Sequence, residues 1–208
     1  MIQAGQRRQR ARKQPAEVRR DTLVDAALRV FARMPYRSAG TAEIAREAGV
    51  AEPTIYRHFS SKKELYLAAL ARTCVRVSEA WARIVVADGR ADEILLALGA
   101  WYERSIATDP DPIRLRMRAV AEAEDDDVRA LLRDGYTDVQ RLIAGVIHRG
   151  QQQGVFDPHA DPDAIAWLWI GIGQVLDLNV MMNSAPCGPD GTVRIGPELL
   201  RLLGAAGP

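Results

Sequence analysis

Residues 44–65 read IAREAGVAEPTIYRHFSSKKEL, and this stretch decides the fold. Its beginning predicts a short helix over 42–48 that ends at Gly49, because glycine tolerates the left-handed conformation of a tight turn. A second short helix is predicted over 52–59, where Ile55 and Phe59 lie one turn apart on the inner side. Two short helices joined by a tight turn make a helix-turn-helix, whose second helix enters the major groove of DNA.

A longer helix is predicted on each side of this motif. Upstream, apolar residues recur at spacings of three and four over 17–34, and Pro35 ends that helix. Downstream, Ser61 and Glu64 form a capping box, in which the serine oxygen accepts the backbone N–H of Glu64 and the carboxylate reaches back. A long helix is expected to follow and to end at Gly89.

The rest of the chain is predicted to be helical as well. Residues 113–118 alternate in polarity, which is a strand signal, but a helix is preferred because no partner strand is found. The further helices are expected over 91–107, 112–123, 127–152, 162–182 and from about Pro197 onward.

We therefore expect an all-α protein in three parts. Residues 1–14 form a disordered basic arm, and 15–60 form an N-terminal three-helix domain with a helix-turn-helix that binds DNA. Residues 61–208 form a C-terminal helical domain for ligand binding and dimerisation.

Charge is unevenly distributed along the chain. The 208 residues carry 28 basic and 27 acidic side chains, so the formal net charge is +1. Residues 1–63, however, carry 14 basic and 6 acidic side chains, and the remainder carries 14 basic and 21 acidic ones. A basic first part joined to an acidic body indicates that the first part binds a polyanion.

The composition argues against several classes of protein. The two cysteines form no CxxC pair, the three histidines are scattered, and no nucleophile elbow or phosphate-binding loop occurs. We therefore expect no metal, no cofactor and no enzymatic activity. The start of the chain lacks a secretory signal, and the apolar stretch 162–182 contains Gln174, Asp177 and Asn179, which favours a buried helix over a membrane span. Arginine outnumbers lysine by 25 to 3, as in GC-rich bacterial genomes, and we expect a cytoplasmic bacterial protein.

Residues that face outward on the second helix, or that flank the motif, are the candidate DNA contacts. Thr54 is expected to contact a base edge or a thymine methyl group, whereas Tyr56, His58 and the two lysines are expected to bind phosphates. The complete candidate set is Thr41, Glu52, Pro53, Thr54, Tyr56, Arg57, His58, Lys62 and Lys63.

The same stretch resembles a known family. Its pattern Ile44-Ala45, Ala48-Gly49-Val50, Thr54-Ile55-Tyr56-x-His58-Phe59 and Lys62 to Leu65 is similar to the N-terminal domain of the tetracycline-repressor-like (TetR) family of transcriptional regulators. The resemblance covers roughly residues 17–70. It implies an all-helical homodimer that binds a palindromic operator in double-stranded DNA, usually as a repressor that a small-molecule effector releases.

Three departures from the family pattern leave an alternative open. Ala39 and Gly40 stand where hydroxyl residues are usual, so Thr41 is expected to take over the cap of the short helix. Ala51 replaces a common serine, and Glu52 is acidic, so that it either accepts from cytosine N4 or repels phosphate. The alternative is a helical small-molecule-binding or protein-interaction module whose DNA contacts have decayed.

Aromatic and polar residues of the body are candidate ligand contacts in a pocket between helices. Core packing is the alternative interpretation for each of them, and Asp177 and Asn179 are expected to face either the pocket or a subunit interface. The candidates are Trp81, Trp101, Tyr102, Met117, Tyr136, Trp167 and Asp177, together with Trp169.

The remaining features of the body concern charge and assembly. Arg114, Arg116 and Arg118 are expected to be solvated or paired with the acidic stretch 122–127. The helices over 127–152 and 162–182 are assigned to the interface of the homodimer. Two short recognition helices about 34–36 Å apart fit successive major grooves on one face of a duplex.

Overall fold

The computed structural model describes residues 16–183 and 195–202. Within these ranges the chain is helical and contains no strand, as the sequence predicts. The predicted arm over 1–14 and residues 184–194 and 203–208 lie outside the described residues. The helices are α1 Ala16–Arg33, α2 Thr41–Ala48, α3 Lys62–Val85, α4 Ala91–Thr108, α5 Asp111–Val120, α6 Asp126–Gln152, α7 Pro162–Met182 and α8 Ile195–Leu202.

The second helix of the predicted motif differs from the expectation. It is a 3-10 helix over Glu52–Arg57, here named the recognition segment, and not an α-helix over 52–59. Its bonds span three residues, since the N–H groups of Thr54 and His58 donate to the carbonyls of Ala51 and Ile55 at 2.9 Å each. A segment this short has too few turns to add many α-helical bonds, and the tighter turn satisfies its end groups.

The helix boundaries follow local signals read from the sequence. Ser61 caps α3, because its side chain accepts the N–H of Glu64 at 3.1 Å. The carboxylate of Glu64 accepts from the backbone N–H and the hydroxyl of Ser60, at 2.6 and 2.7 Å, so the return bond of the capping box is displaced by one residue. The prediction of a helix over the alternating residues 113–118 is confirmed by α5, although α5 ends at Val120 and not at residue 123.

Two hydrophobic clusters form the core. The first joins α1, α2 and the recognition segment to the start of α3, and it also includes Leu115 and Ala119 of α5. The second lies between the end of α3 and helices α4, α6 and α7. The N-terminal helices therefore share a core with α5, which connects them physically to the body of the molecule.

Candidate nucleic-acid interface and body cavity

The turn between α2 and the recognition segment is fixed by its backbone. Gly49 has φ +68°, a left-handed conformation that glycine adopts without steric cost. The N–H groups of Gly49 and Val50 donate to the carbonyls of Arg46 and Ala45 at 3.1 and 3.0 Å, which satisfies the end of α2. The turn thereby sets the angle at which the recognition segment leaves α2.

The recognition segment has one buried side and one exposed side. Ile55 is fully buried against the first core cluster. Pro53, Tyr56 and Arg57 are exposed, and 54% of Tyr56 remains accessible. Glu52, Thr54 and the adjoining His58, which complete the predicted set here, are half-buried. The segment therefore presents a row of polar and aromatic groups outward, where they are accessible to a binding partner.

Thr41, Glu52 and Tyr56 form a small hydrogen-bonded cluster. The Thr41 hydroxyl donates to Glu52 Oε1 at 2.5 Å, and the Tyr56 hydroxyl lies 3.2 Å from Thr41 Oγ1. Because the single proton of Thr41 is used on the carboxylate, the Tyr56 hydroxyl donates to Thr41 in this arrangement. The prediction that Thr41 caps α2 is wrong, since Gly40 occupies the cap position without a side-chain bond.

Lys62 and Lys63, both predicted phosphate ligands, are engaged by protein groups. Lys62 Nζ donates to the carbonyls of Tyr36 and Ala39 at 2.7 and 2.9 Å, so it holds the loop between α1 and α2. Lys63 Nζ lies 2.8 Å from Asp125, with Asp127 a second ion-pair partner. These carboxylates raise the pKa of Lys63 above its ordinary value. The structure therefore does not offer either ammonium group as a free cation.

Two cations that the sequence reasoning missed are free on the same part of the molecule. Arg37 and Arg46 are exposed, and in the ranges that the structure covers neither side chain makes a hydrogen bond or an ion pair. Arg57 of the recognition segment is equally unpaired there. Arg29 and Arg33 differ, because both pair with Glu47 at 2.6 and 2.7 Å. The signal in the sequence was the outward position of Arg46 on α2, opposite the buried Ile44 and Ala45.

A cavity of about 400 Å³ lies in the body between α3, α4, α6 and α7, with α5 contributing Arg116. Trp81, Tyr102 and Tyr136 of the predicted set line it, together with Trp169. Its walls are mainly aliphatic and aromatic, which suits an apolar small molecule. The Nε1 atom of Trp81 is buried and has no hydrogen-bond partner among the described residues.

Four predicted ligand residues do not line this cavity: Trp101, Met117, Trp167 and the fully buried Asp177. Trp101 and Met117 are half-buried on other faces of their helices, and Trp167 lies on the outer face of α7 with 52% of its surface exposed. Helical periodicity explains Trp167, because Ala166, Trp169 and Ile170 form the buried side of that helix.

Asp177 is fully buried and is held by Tyr102 and Arg116. The Tyr102 hydroxyl donates to Asp177 Oδ1 at 2.5 Å, and Arg116 Nη2 donates to the Tyr102 oxygen at 2.8 Å and to Asp177 Oδ2 at 3.5 Å. Burial raises the pKa of Asp177 above its ordinary value, although Arg116 and Tyr102 oppose the shift. Burial also raises the pKa of Tyr102, which keeps its hydroxyl protonated as a donor.

The prediction that Arg116 is solvated or paired with residues 122–127 is wrong. Its side chain is only 11% exposed and its ion-pair partner is Asp177 on α7. A buried carboxylate in an apolar helix needs such a partner, and this was the signal in the sequence. Arg118 also turns inward, since its Nε donates to the carbonyl of Ala32 at 3.0 Å. Arg114 has 36% of its side chain accessible, but its ion-pair partner is Asp111 at 3.4 Å and not a residue of 122–127.

The outer face of α7 is apolar and uncovered. Its exposed residues follow one another at spacings of three and four, the period of a single helix face. By length and composition α7 is also the one helix in the described part of the chain that meets the criteria for a membrane span. The exposed residues of this stripe, named the α7 face, are Leu168, Gly171, Val175, Leu178 and Met182.

Residues 23–69 match the family model described as bacterial regulatory proteins, tetR family. Among curated relatives, the transcriptional activator FasR of Mycolicibacterium smegmatis is 51% identical over 63 residues, which cover 30% of this chain and 29% of that protein. The chain thus matches less than a third of the length of that relative.

Two solved structures share the fold over nearly the whole chain. A TetR-family transcriptional regulator from Agrobacterium tumefaciens has a TM-score of 0.75 at 19% identity, covering 91% of this chain and 99% of that one. The regulator FadR from Bacillus subtilis, solved in complex with stearoyl-CoA, has a TM-score of 0.70 at 20% identity, with 88% and 96% covered. Residues 23–69 thus match the tetR family of bacterial regulatory proteins, and the chain as a whole has the fold of these TetR-type structures.

Proposed function

We propose that the chain is a dimeric, ligand-responsive transcriptional regulator, acting as a repressor on a palindromic operator. The observation that carries the proposal is the pairing of an outward-facing recognition segment, with free cations around it, and a separate apolar cavity in the body. The first arrangement suits a DNA duplex and the second suits a small effector.

On the DNA side, Pro53 and Thr54 approach the major groove. Tyr56 and the unpaired Arg37, Arg46 and Arg57 bind phosphates. The Glu52 carboxylate accepts the hydrogen bond of the Thr41 hydroxyl and is thereby held beside Thr41. Six such cations in a dimer correspond to a slope of about −5 for log K against log salt concentration. His58 is kept as a phosphate contact, whereas Lys62 and Lys63 serve to hold the domain together.

The dimer forms through the α7 face of two subunits, with α6 beside it. A stripe of leucine, valine and methionine this long is costly to leave in water, and a second copy of the same face covers it symmetrically. Pairing also gives the protein its specificity, since two recognition segments contact twice as many base pairs as one.

Release by an effector follows from linkage. A molecule that binds more tightly to a form with the wrong spacing of recognition segments lowers the affinity for the operator by the same factor. The FadR neighbour binds stearoyl-CoA in a fold of this kind, which supports an effector site in the body. The curated relatives are transcriptional regulators and not enzymes. We extend this role to the present chain and propose that it acts in the cytoplasm.

A second candidate function is supported by the engaged state of Lys62 and Lys63. A protein-interaction or ligand-binding module with decayed DNA contacts would also have both lysines occupied. Selection from a pool of random duplexes separates the two. If the chain is a regulator, the selection enriches a palindrome, which the protein binds in a salt-dependent manner. If the chain is a module with decayed DNA contacts, no sequence is enriched.

A further inference from the structure

Three polar side chains at the cavity, Arg116, Tyr102 and Asp177, form one internally neutralised unit. Arg116 lines the cavity, and its positive charge faces Asp177, whose carboxylate lies 3.5 Å from Nη2. Tyr102 bridges the two groups, so the sum of the charges in this unit is zero. Glu103 is the other charged residue of the lining, and it is exposed.

The guanidinium of Arg116 keeps donors for a ligand. Both of its hydrogen bonds leave from Nη2. Within residues 16–183 and 195–202, Nε and Nη1 make no hydrogen bond, and neither atom is buried beyond reach. An acceptor on a bound molecule can take hydrogen bonds from these N–H groups, which no described protein group accepts.

The charge of that acceptor is restricted by Asp177. A ligand carboxylate bound to Arg116 would bring a second negative charge next to Asp177 in a poorly hydrated site. The single positive charge of Arg116 could then neutralise only one of the two carboxylates. A cationic ligand would meet Arg116 itself. An uncharged acceptor, such as a ketone, ester or amide carbonyl, gains the hydrogen bonds without burying a net charge.

We propose that Asp177 makes the cavity selective for uncharged, largely apolar molecules that present a carbonyl-type acceptor to Arg116, against carboxylates of the same shape. The inference rests on the proposed function, because it assigns the chemistry of the effector. It makes Asp177 a specificity-determining residue that acts through Arg116 without contacting the ligand.

The test uses the full-length protein and three probes that share a 2-(dimethylamino)naphthalene core and differ in the substituent at carbon 6. Prodan is an uncharged ketone, 6-(dimethylamino)-2-naphthoate is its carboxylate counterpart, and 2-(dimethylamino)naphthalene lacks the acceptor. Fluorescence titration is expected to give wild-type protein about a tenfold lower Kd for prodan than for either of the other probes. Gly99→Phe, which fills the cavity beside Trp169, is expected to abolish binding of all three.

Asp177→Asn gives the decisive comparison. The asparagine still accepts from Tyr102, but Arg116 loses its counter-charge, so the naphthoate is expected to bind about tenfold more tightly than to wild type while prodan changes less than threefold. Arg116→Met is expected to weaken prodan about tenfold, to the level of the acceptor-free probe, and the exposed Arg104→Met serves as its matched control.

The outcomes separate this inference from the proposed function. Equal or tighter binding of the naphthoate by wild type, an unchanged preference in Asp177→Asn, or no binding of any probe would overturn the effector chemistry. A gel shift on the selected duplex without probe measures DNA binding independently. If DNA binding is retained in that assay, the proposed regulator is supported even where the probe results reject the effector chemistry. If DNA binding is absent, the proposed regulator is rejected, whatever the probes show.

Discussion

Arg116 and Arg118 lie two residues apart on α5, and they bind groups in two different parts of the molecule. Arg116 contacts the hydroxyl of Tyr102 at the cavity, at 2.8 Å. Arg118 donates to the carbonyls of Ala32 and Arg33 at the end of α1, at 3.0 and 3.4 Å. One short helix therefore connects the lining of the cavity to the end of α1, and a shift of α5 is expected to move groups at both places.

Replacing Arg118 by Gln is expected to loosen this connection. The variant loses charge-assisted bonds to the terminal carbonyls of α1, which is expected to cost about 1–2 kcal/mol of unfolding free energy. Urea denaturation measures the loss, with Arg104→Gln as the surface control. The coupling between prodan and operator binding is expected to fall as well, and full stability together with full coupling would show that Arg118 has no such role.

Removing Tyr56 is expected to weaken DNA binding broadly. Tyr56→Ala loses both the exposed ring and the hydroxyl beside Thr41, so affinity for the selected operator is expected to fall about tenfold or more at fixed salt. Tyr56→Phe keeps the ring and isolates the hydroxyl. Fluorescence anisotropy provides the affinities, and wild-type affinity in Tyr56→Ala would remove this residue from the interface.

Thr54 is expected to affect preference and not overall affinity. Thr54→Ala removes one hydroxyl and one methyl group from the recognition segment, so a repeated random-duplex selection is expected to return a changed base at one position of each half-site. An identical selected sequence would mean that Thr54 does not contact a base.

Arg46, which the sequence interpretation did not single out, is expected to contribute to the salt dependence. Arg46→Ala removes two cations from a dimer, so the slope of log K against log salt is expected to become shallower by about 2. Arg83→Ala on the exposed end of α3 is the matched control and is expected to leave the slope unchanged. Equal slopes for the two variants would exclude Arg46 from the phosphate contacts.

The ion pairs of Glu47 predict a specific pH dependence of stability. Hydrogen bonds from Arg33 and Arg29 lower the pKa of Glu47 below its ordinary value of 4.5. Because the pKa of Glu47 is lower in the folded than in the unfolded protein, its ion pairs stabilise the fold at pH values above the unfolded pKa. This stabilisation is lost as the pH falls through the pKa of Glu47 in the folded protein. Glu47→Gln is therefore expected to cost about 0.5–1 kcal/mol at pH 7 and to converge with wild type in acid.

Denaturation at several pH values measures this effect, and Glu43→Gln, on the same helix, is the control. A difference between Glu47→Gln and wild type that stays constant from pH 7 to pH 3 would argue against the ion-pair explanation.

Much of the fold could be predicted because its signals are local. The cap at Ser61 and the turn at Gly49 place helix ends to within a residue or two. The 3-10 form of the recognition segment could not be predicted, since the same apolar spacing fits either helix type over six residues.

The cavity was harder to predict than the helices. Trp81 and Tyr102 could be predicted to line the cavity because large aromatic residues are typical of ligand sites. Trp167 was predicted for the same reason, but it lies outside the cavity. Arg116 and Asp177 are 61 residues apart in sequence, and their pairing depends on how α5 packs against α7. Contacts of that range are set by tertiary packing, which periodicity alone does not specify.

The α7 face is expected to be sensitive to charge. Leu178→Glu places a carboxylate at the centre of the stripe in both subunits, so the dimer is expected to dissociate at micromolar concentration. Val86→Glu, at an exposed site beyond α3, is the matched control and is expected to remain dimeric. A Leu178→Glu variant that stays dimeric in sedimentation velocity would move the interface elsewhere.

Sedimentation equilibrium of the protein mixed with its selected duplex measures how many subunits bind one operator. We expect a complex of two subunits on one palindromic duplex, with half-sites whose centres are about 34–36 Å apart. A single subunit on the duplex, at concentrations that saturate it, would show that the chain does not bind DNA as a dimer.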